Sequence, residues 1–193
     1  MQQINLFLVP WAGETFAETL ATLADNPIVA RIYVLGGDKD ATAMPQEKCE
    51  VLATDSLSST KFLRAVAARS KAAYTVLYLK PLELRFGYRC LERMLSVAQD
   101  TQAAMVYADR YEEKAGVVTP HPVIDYQEGS VRDDFDFGSL LLLRTELLQE
   151  FFADRNVRFR YAALYALRLF LSTKGRLVHL RDFLYTDVVT DLR

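Results

Sequence analysis

Apolar residues in this chain fall into short continuous runs separated by stretches in which they recur every three or four positions. Ile4-Asn5-Leu6-Phe7-Leu8-Val9 reads as a buried strand, stopped by Pro10, which has no amide hydrogen for a ladder. Thr15 to Asn26 places Phe16, Leu20 and Leu23 on one face of a helix. Val29 to Leu35 is a second strand, closed by Gly36-Gly37-Asp38, and Cys49 to Ala53 a short third. Ser56 to Ala72 predicts a helix with Leu63, Val66 and Ala67 inward, capped by Asp55 or Ser56. Tyr74 to Leu79 is a central strand. Tyr88 to Gln99 carries Leu91, Met94, Leu95 and Ala98 on one stripe, and Ala103 to Tyr107 returns as a strand ending at Ala108-Asp109. This alternation predicts an α/β fold with a mostly parallel central sheet flanked by helices.

Between Glu112 and Gly138 the pattern breaks into a polar stretch that includes "HPVIDYQEGSVRDDFDFG". A segment this long is a functional loop or a pair of edge strands. Leu140 to Leu143 then predicts a strand, Thr145 to Phe152 and Tyr161 to Ser172 two helices, and Leu177 to Leu180 with Phe183 to Val189 a closing pair of strands. There is no repeat and no low-complexity linker, so one domain over 1–193 is expected, open to continuation beyond Arg193.

Charge narrows the partners. The chain has 193 residues, with 23 basic against 25 acidic side chains and a formal net charge of −2, and Lys and Arg form no run. A dedicated nucleic-acid surface is therefore not expected. Cys49 and Cys90 are too far apart in sequence for a CxxC motif and are read as free thiols. The longest aliphatic run, Leu140 to Leu143, falls far short of the roughly 20 residues of a membrane span. A soluble, cytoplasmic protein is expected.

The order of elements resembles the GT-A fold of the family 2 glycosyltransferases over essentially the whole chain. "LFLVPWAGETFAETLATL" matches the family's first strand, proline and helix. "SKAAYTVLYLKPLE" is the counterpart of the segment that ends in the "DxD" motif. "MVYADRYEE" resembles the later strand ending in an acidic residue, "YALRLFL" the "DLWLRL"-like helix, and "RLVHLRDFLYTDV" the last strand pair. The resemblance is to a degenerate member of Bacteroidetes type. It implies a nucleotide-sugar donor and a glycan acceptor, bound where Pro10, Trp11, Asp38 and Lys80 gather.

The motif positions depart from the family. Leu35-Gly36-Gly37-Asp38 stands for "DDGS", so Asp38 alone could approach a uracil or ribose. Leu79-Lys80-Pro81 or Lys80-Pro81-Leu82 stands for "DxD", and neither register brings a carboxylate to hold a divalent metal. No metal is expected there, and Lys80 is the candidate cation for the diphosphate. Ala163-Leu164 lies opposite the "ED" pair that supplies the general base. Two readings follow: a glycosyltransferase-like enzyme with an atypical catalytic set, or a GT-A-like binding or assembly module without catalysis.

The remaining carboxylates are the catalytic candidates. Asp109 follows a central strand, at the end where open α/β sheets bind ligands, or else caps a turn or pairs with Arg110 or a Lys. Asp133 and Asp134 share the polar segment with His121, Asp125 and Asp136, where a carboxylate beside a His can move protons, although the spacing matches no metal motif. His179 reads as an ordinary strand residue. Trp11 either stacks on a base or seals the end of the sheet.

Overall fold

The computed structural model describes residues 2–36, 47–129, 135–153 and 158–189. β1 (Ile4–Leu8) lies between β2 (Val29–Gly36) and β4 (Tyr74–Tyr78), parallel to both, and β3 (Cys49–Ala53) extends the sheet parallel to β2. Leu8 pairs with Val34 on one side and Tyr78 on the other, so Pro10, Gly36 and Lys80 follow at one rim, as the alternation predicts. Beyond β4 the sheet becomes mixed. β8 (Leu140–Arg144) runs antiparallel to both β4 and β6 (Met105–Lys114), and β9 (Leu177–Val189) runs parallel to β6. β5 (Glu83–Phe86) pairs antiparallel with β9, and β7 (Val117–His121) with β6.

The apolar runs are continuous because both faces of the sheet are covered. Leu6, Leu8, Ile32, Val34, Val76 and Leu142 face α1 (Thr15–Asp25) and α3 (Cys90–Thr101). Phe7, Tyr33, Leu77 and Leu141 face the other layer, built by α2 (Thr60–Arg69), α4 (Thr145–Ala153) and α5 (Ala163–Lys174). α2 starts later than predicted: Ser59, not Asp55 or Ser56, is its N-cap and accepts from the Phe62 amide. Among the described residues no helix is long and apolar enough to cross a membrane.

The closing "pair" of strands is one long strand. β9 stays in register with β6 over its whole length by absorbing irregularities on either side of Asp109, where Ala108 pairs with Leu180 but Asp109 with Phe183 and Arg110 with Tyr185. Together β5, β9, β6 and β7 form an arm that continues the sheet past the rim.

Candidate functional site

β4 delivers Lys80 to the rim, where its Nζ sits 3.3 Å from Asp187 Oδ2 of β9. The Lys80 side chain remains 41 % exposed, whereas Asp187 is 1 % exposed. Asp187 is the hub of a polar cluster. Ser139 Oγ lies 2.7 Å from its Oδ2, and the Tyr78 hydroxyl lies 3.1 Å from its Oδ1 and 3.0 Å from the Leu82 carbonyl. Arg110, itself buried, brings Nε to 3.4 Å from Asp187 Oδ2, an ion-pair distance without hydrogen-bond alignment. The other end of the guanidinium donates to Asp136 at 3.2 Å and Glu112 at 3.0 Å, and His121 bridges these same two carboxylates at 3.3 Å each. Burial and then the Asp187 charge push the Tyr78 hydroxyl well above its ordinary pKa. Burial works against ionised Asp136, but the Gly138 amide, Arg110 and Lys80 outweigh it and hold its pKa below the usual carboxylate value.

Gly138 makes this junction possible. Its φ of +75° favours glycine, and a Cβ there would lie 2.7 Å from the Tyr185 hydroxyl and 3.2 Å from the Ala108 carbonyl. The next residue, Ser139, donates its amide to that same hydroxyl at 2.9 Å.

A second cluster occupies the opposite face of β6, because successive strand residues alternate sides. Asp109 is 4 % exposed; its Oδ1 faces His179 Nε2 at 2.8 Å and accepts from the Val123 amide at 2.8 Å. His179 Nδ1 faces Asp125 at 2.7 Å, and Arg181 also pairs with Asp125. The Tyr107 ring stacks on His179 with centroids 5.1 Å apart, and its hydroxyl donates to the Ile124 carbonyl and accepts from the Tyr126 amide. Burial, first, pushes the Tyr107 hydroxyl up to about 12. Residues 123–126 are thus fastened to β6 and β9 by a chain of polar contacts.

The candidate residues divide as follows. Pro10 and Lys80 stand together at the rim. Trp11 is 8 % exposed, packs edge-on against Phe16 and Tyr78, and donates from Nε1 to Thr15 Oγ1 at 3.1 Å, so its ring closes the sheet end. Asp109 meets His179 rather than Arg110 or a Lys. Asp38, Asp133 and Asp134 lie outside the described residues. Ser139 and Asp187 escaped the sequence reading, and Arg110 entered it only as a partner for Asp109. The signal for Arg110 was an arginine inside "VYADRY"; Asp187 had none beyond one acid in an alternating strand.

Among the described residues, the groups at the end of β4 do not suit the divalent metal that the family resemblance implies. The end of β4 offers an ammonium and a proline, Glu83 accepts from Arg85 Nε at 2.7 Å, and Asp187 is held by two cations. Among the described residues, no three His, Cys, Asp or Glu side chains converge as metal ligands. A cavity of about 440 Å³ between α1 and residues 84–92 contains none of the rim residues.

No family model and no curated protein matches the chain. Solved structures do. TarS of S. aureus, residues 1–349 in complex with UDP-GlcNAc, superposes on 100 % of this chain with a TM-score of 0.66 at 12 % identity. The UDP complex of the same protein covers 98 % of the chain with a TM-score of 0.62 at 13 % identity. TarS is a GT-A-type family 2 glycosyltransferase. The fold is GT-A. At such low identity the likeness shows the fold alone, and this chain spans about 60 % of the length of the TarS chains it matches. Pro10, Gly36 and Lys80 stand at the carboxyl ends of the parallel strands β1, β2 and β4.

Proposed function

We propose that this chain is a glycosyltransferase-like domain that binds a nucleotide sugar at the rim of β1, β2 and β4, with Lys80 facing the diphosphate in place of a metal, and a glycan acceptor on the loop side. The carrying observation is the placement of Lys80: it stands at the "DxD" counterpart, and its partly exposed ammonium is oriented by buried Asp187. A positive charge fixed before the ligand arrives stabilises phosphate oxygens without reorganisation. The UDP and UDP-GlcNAc complexes of TarS support a nucleotide-sugar partner. Pro10 forms a wall of this site, and Trp11 supports its floor.

On this reading Asp109 is a positioning residue, which acts through His179 and Val123 on the loop that carries Asp133 and Asp134. Those two take the role of proton acceptor for the glycan hydroxyl, and Asp38 that of a contact to the nucleoside. A second reading, a binding module without transfer, is favoured by one observation: Asp109, Asp136 and Asp187 are each already engaged by a cation, an imidazole or an amide.

Titration calorimetry with UDP-GlcNAc and a panel of other nucleotide sugars, in EDTA and again with Mn²⁺, tests both. Binding in EDTA, not tightened by Mn²⁺ and weakened at least about tenfold by Lys80→Met, a loss of roughly 1.4 kcal/mol, is the expected result. No binding at millimolar nucleotide or nucleotide sugar rejects the transferase reading and leaves the binding or assembly module. Binding without transfer or donor hydrolysis selects the module. Where turnover is seen, Asp109→Asn and the Asp133→Asn/Asp134→Asn pair each lower kcat at least about tenfold; full activity in both variants removes those assignments.

A further inference from the structure

A second cleft opens at the same end of the sheet. The Gly36 carbonyl accepts from the Thr54 amide, and the chain then leads through Ser59 into α2, so the first turn of α2 stands at the rim shared by β1, β2 and β3. Residues 158–160 lie across that turn. The Thr60 amide donates to the Phe159 carbonyl at 2.9 Å, the Phe159 amide donates back to Thr60 Oγ1 at 2.8 Å, and the Ala163 amide donates to the Ser58 carbonyl at 3.1 Å. Thr60 is buried, so the backbone on both sides of the cleft is fixed.

The cleft has a volume of about 480 Å³, and its charged lining is Lys61, Arg64, Arg158 and Arg160. No carboxylate among the described residues lines it. Among the described residues, the ion pair made by these four is Lys61 with Asp55 at 3.8 Å, both side chains at least 80 % exposed. Arg64 lies over the Phe152 ring at 5.4 Å and Arg160 over Tyr161 at 5.1 Å, contacts that orient a guanidinium without neutralising its charge. Phe159, 41 % exposed, supplies an apolar wall. The Thr60 and Phe62 amides of the first turn of α2 are already used by Phe159 and Ser59, so attraction here comes chiefly from the side chains. Four cations gathered on a chain of net charge −2 repel one another, and an anion between them relieves that repulsion.

We propose that this cleft is an oxyanion subsite for an acidic glycan, a saccharide whose carboxylate or phosphate groups are gripped by Arg64, Arg158 and Arg160 while a sugar face rests on Phe159. Arginine forks match either oxyanion bidentately. The inference rests on the glycosyltransferase-like reading in one respect: that reading alone makes the glycan held here an acceptor, with this cleft a subsite apart from its reacting hydroxyl.

The test is fluorescence anisotropy with labelled hexagalacturonate, a 6-phosphorylated mannohexaose and uncharged mannohexaose, without nucleotide. The chain is expected to bind at least one acidic probe, more weakly as NaCl rises, and not the uncharged one. The preferred probe names the anion. Arg64→Gln/Arg158→Gln should weaken binding at least tenfold, whereas Arg64→Lys/Arg158→Lys, which keeps the charge, should retain most of it; thermal melts verify that both variants fold. Equal affinity for uncharged mannohexaose, indifference to Arg64→Gln/Arg158→Gln, or tighter binding of a single-stranded oligonucleotide overturns the proposal. Failure of the donor reading is separable. A chain that binds hexagalacturonate but no nucleotide sugar loses the donor site and keeps the cleft, and the reverse pattern does the opposite.

Discussion

The strands β2, β1, β4 and β8 are packed on both faces by aliphatic and aromatic side chains, whereas the arm of β5, β7 and the later halves of β6 and β9 is held across its strands by charges and rings. In the first region Leu6, Val76 and Leu142 stand side by side in register, all at 0 % exposure. In the second, Arg85 pairs with Glu113 at 2.6 Å, Tyr111 stacks on Phe183 at 4.8 Å, and β7 is almost wholly exposed. Apolar packing is tolerant of small rearrangements, because its energy is spread over many weak contacts. A buried charge is not: Asp187 is stable only while both its cations are in place. The candidate site lies where these two regimes meet, so the charge that orients Lys80 also ties the arm to the core.

Removing a partner of Asp187 is therefore the hardest blow. Arg110→Met should cost about 3–5 kcal/mol in urea unfolding, and Arg110→Met/Asp187→Leu, which removes both charges, should recover a large part. A double variant no better than the single would show that the arm depends on these residues for shape rather than charge. Leu142→Ala, the matching change in the apolar region, should cost about 3 kcal/mol by transfer and cavity terms. Its effect should stay in stability, while Arg110→Met also alters whatever ligand affinity Lys80 supplies.

Gly138→Ala should cost about 1–3 kcal/mol, since the left-handed backbone and the clash with the Tyr185 hydroxyl both oppose a side chain. Retention of full stability would mean that the loop can leave Tyr185 without loss. The smallest effect is on pH. Asp136 has a depressed pKa when folded, so its contribution is fully present above its unfolded value of about 3.9 and is lost as pH falls through the folded value. Asp136→Asn should flatten the acid limb of Tm between about pH 5 and pH 2, because it lowers Tm at neutral pH, where the carboxylate contributes, and leaves it little changed near pH 2.

The same contrast explains what the sequence disclosed. Runs such as Ile4 to Val9 and Tyr74 to Leu79 announce buried strands, and their alternation with amphipathic stretches places Pro10, Gly36 and Lys80 on one rim. β8 also reads clearly, but its antiparallel insertion does not, because a strand's direction is set by connections and not by its own composition. β5 was missed because Glu83 to Phe86 is short and mixed, a strand only because β9 pairs with it. In the site, Lys80 is legible as a departure from a motif. Arg110 and Asp187 are not, because they are far apart in sequence and a buried ion pair has no local periodicity. His179 looked ordinary for the same reason: its two carboxylates come from β6 and from the loop after β7.

Trp11 is the sole tryptophan of the chain, and it sits at the end of β1 against Tyr78, whose hydroxyl reaches Asp187. Ultraviolet emission excited at the red edge therefore reports from one place, the floor beneath the rim. A blue-shifted spectrum is expected from so enclosed an indole, and a ligand settling beside Lys80 would alter its intensity without any label being introduced. Exchanging Thr15 for Val would free the indole N–H and provide the calibration, so the protein carries its own optical gauge beside the rim proposed to hold the donor.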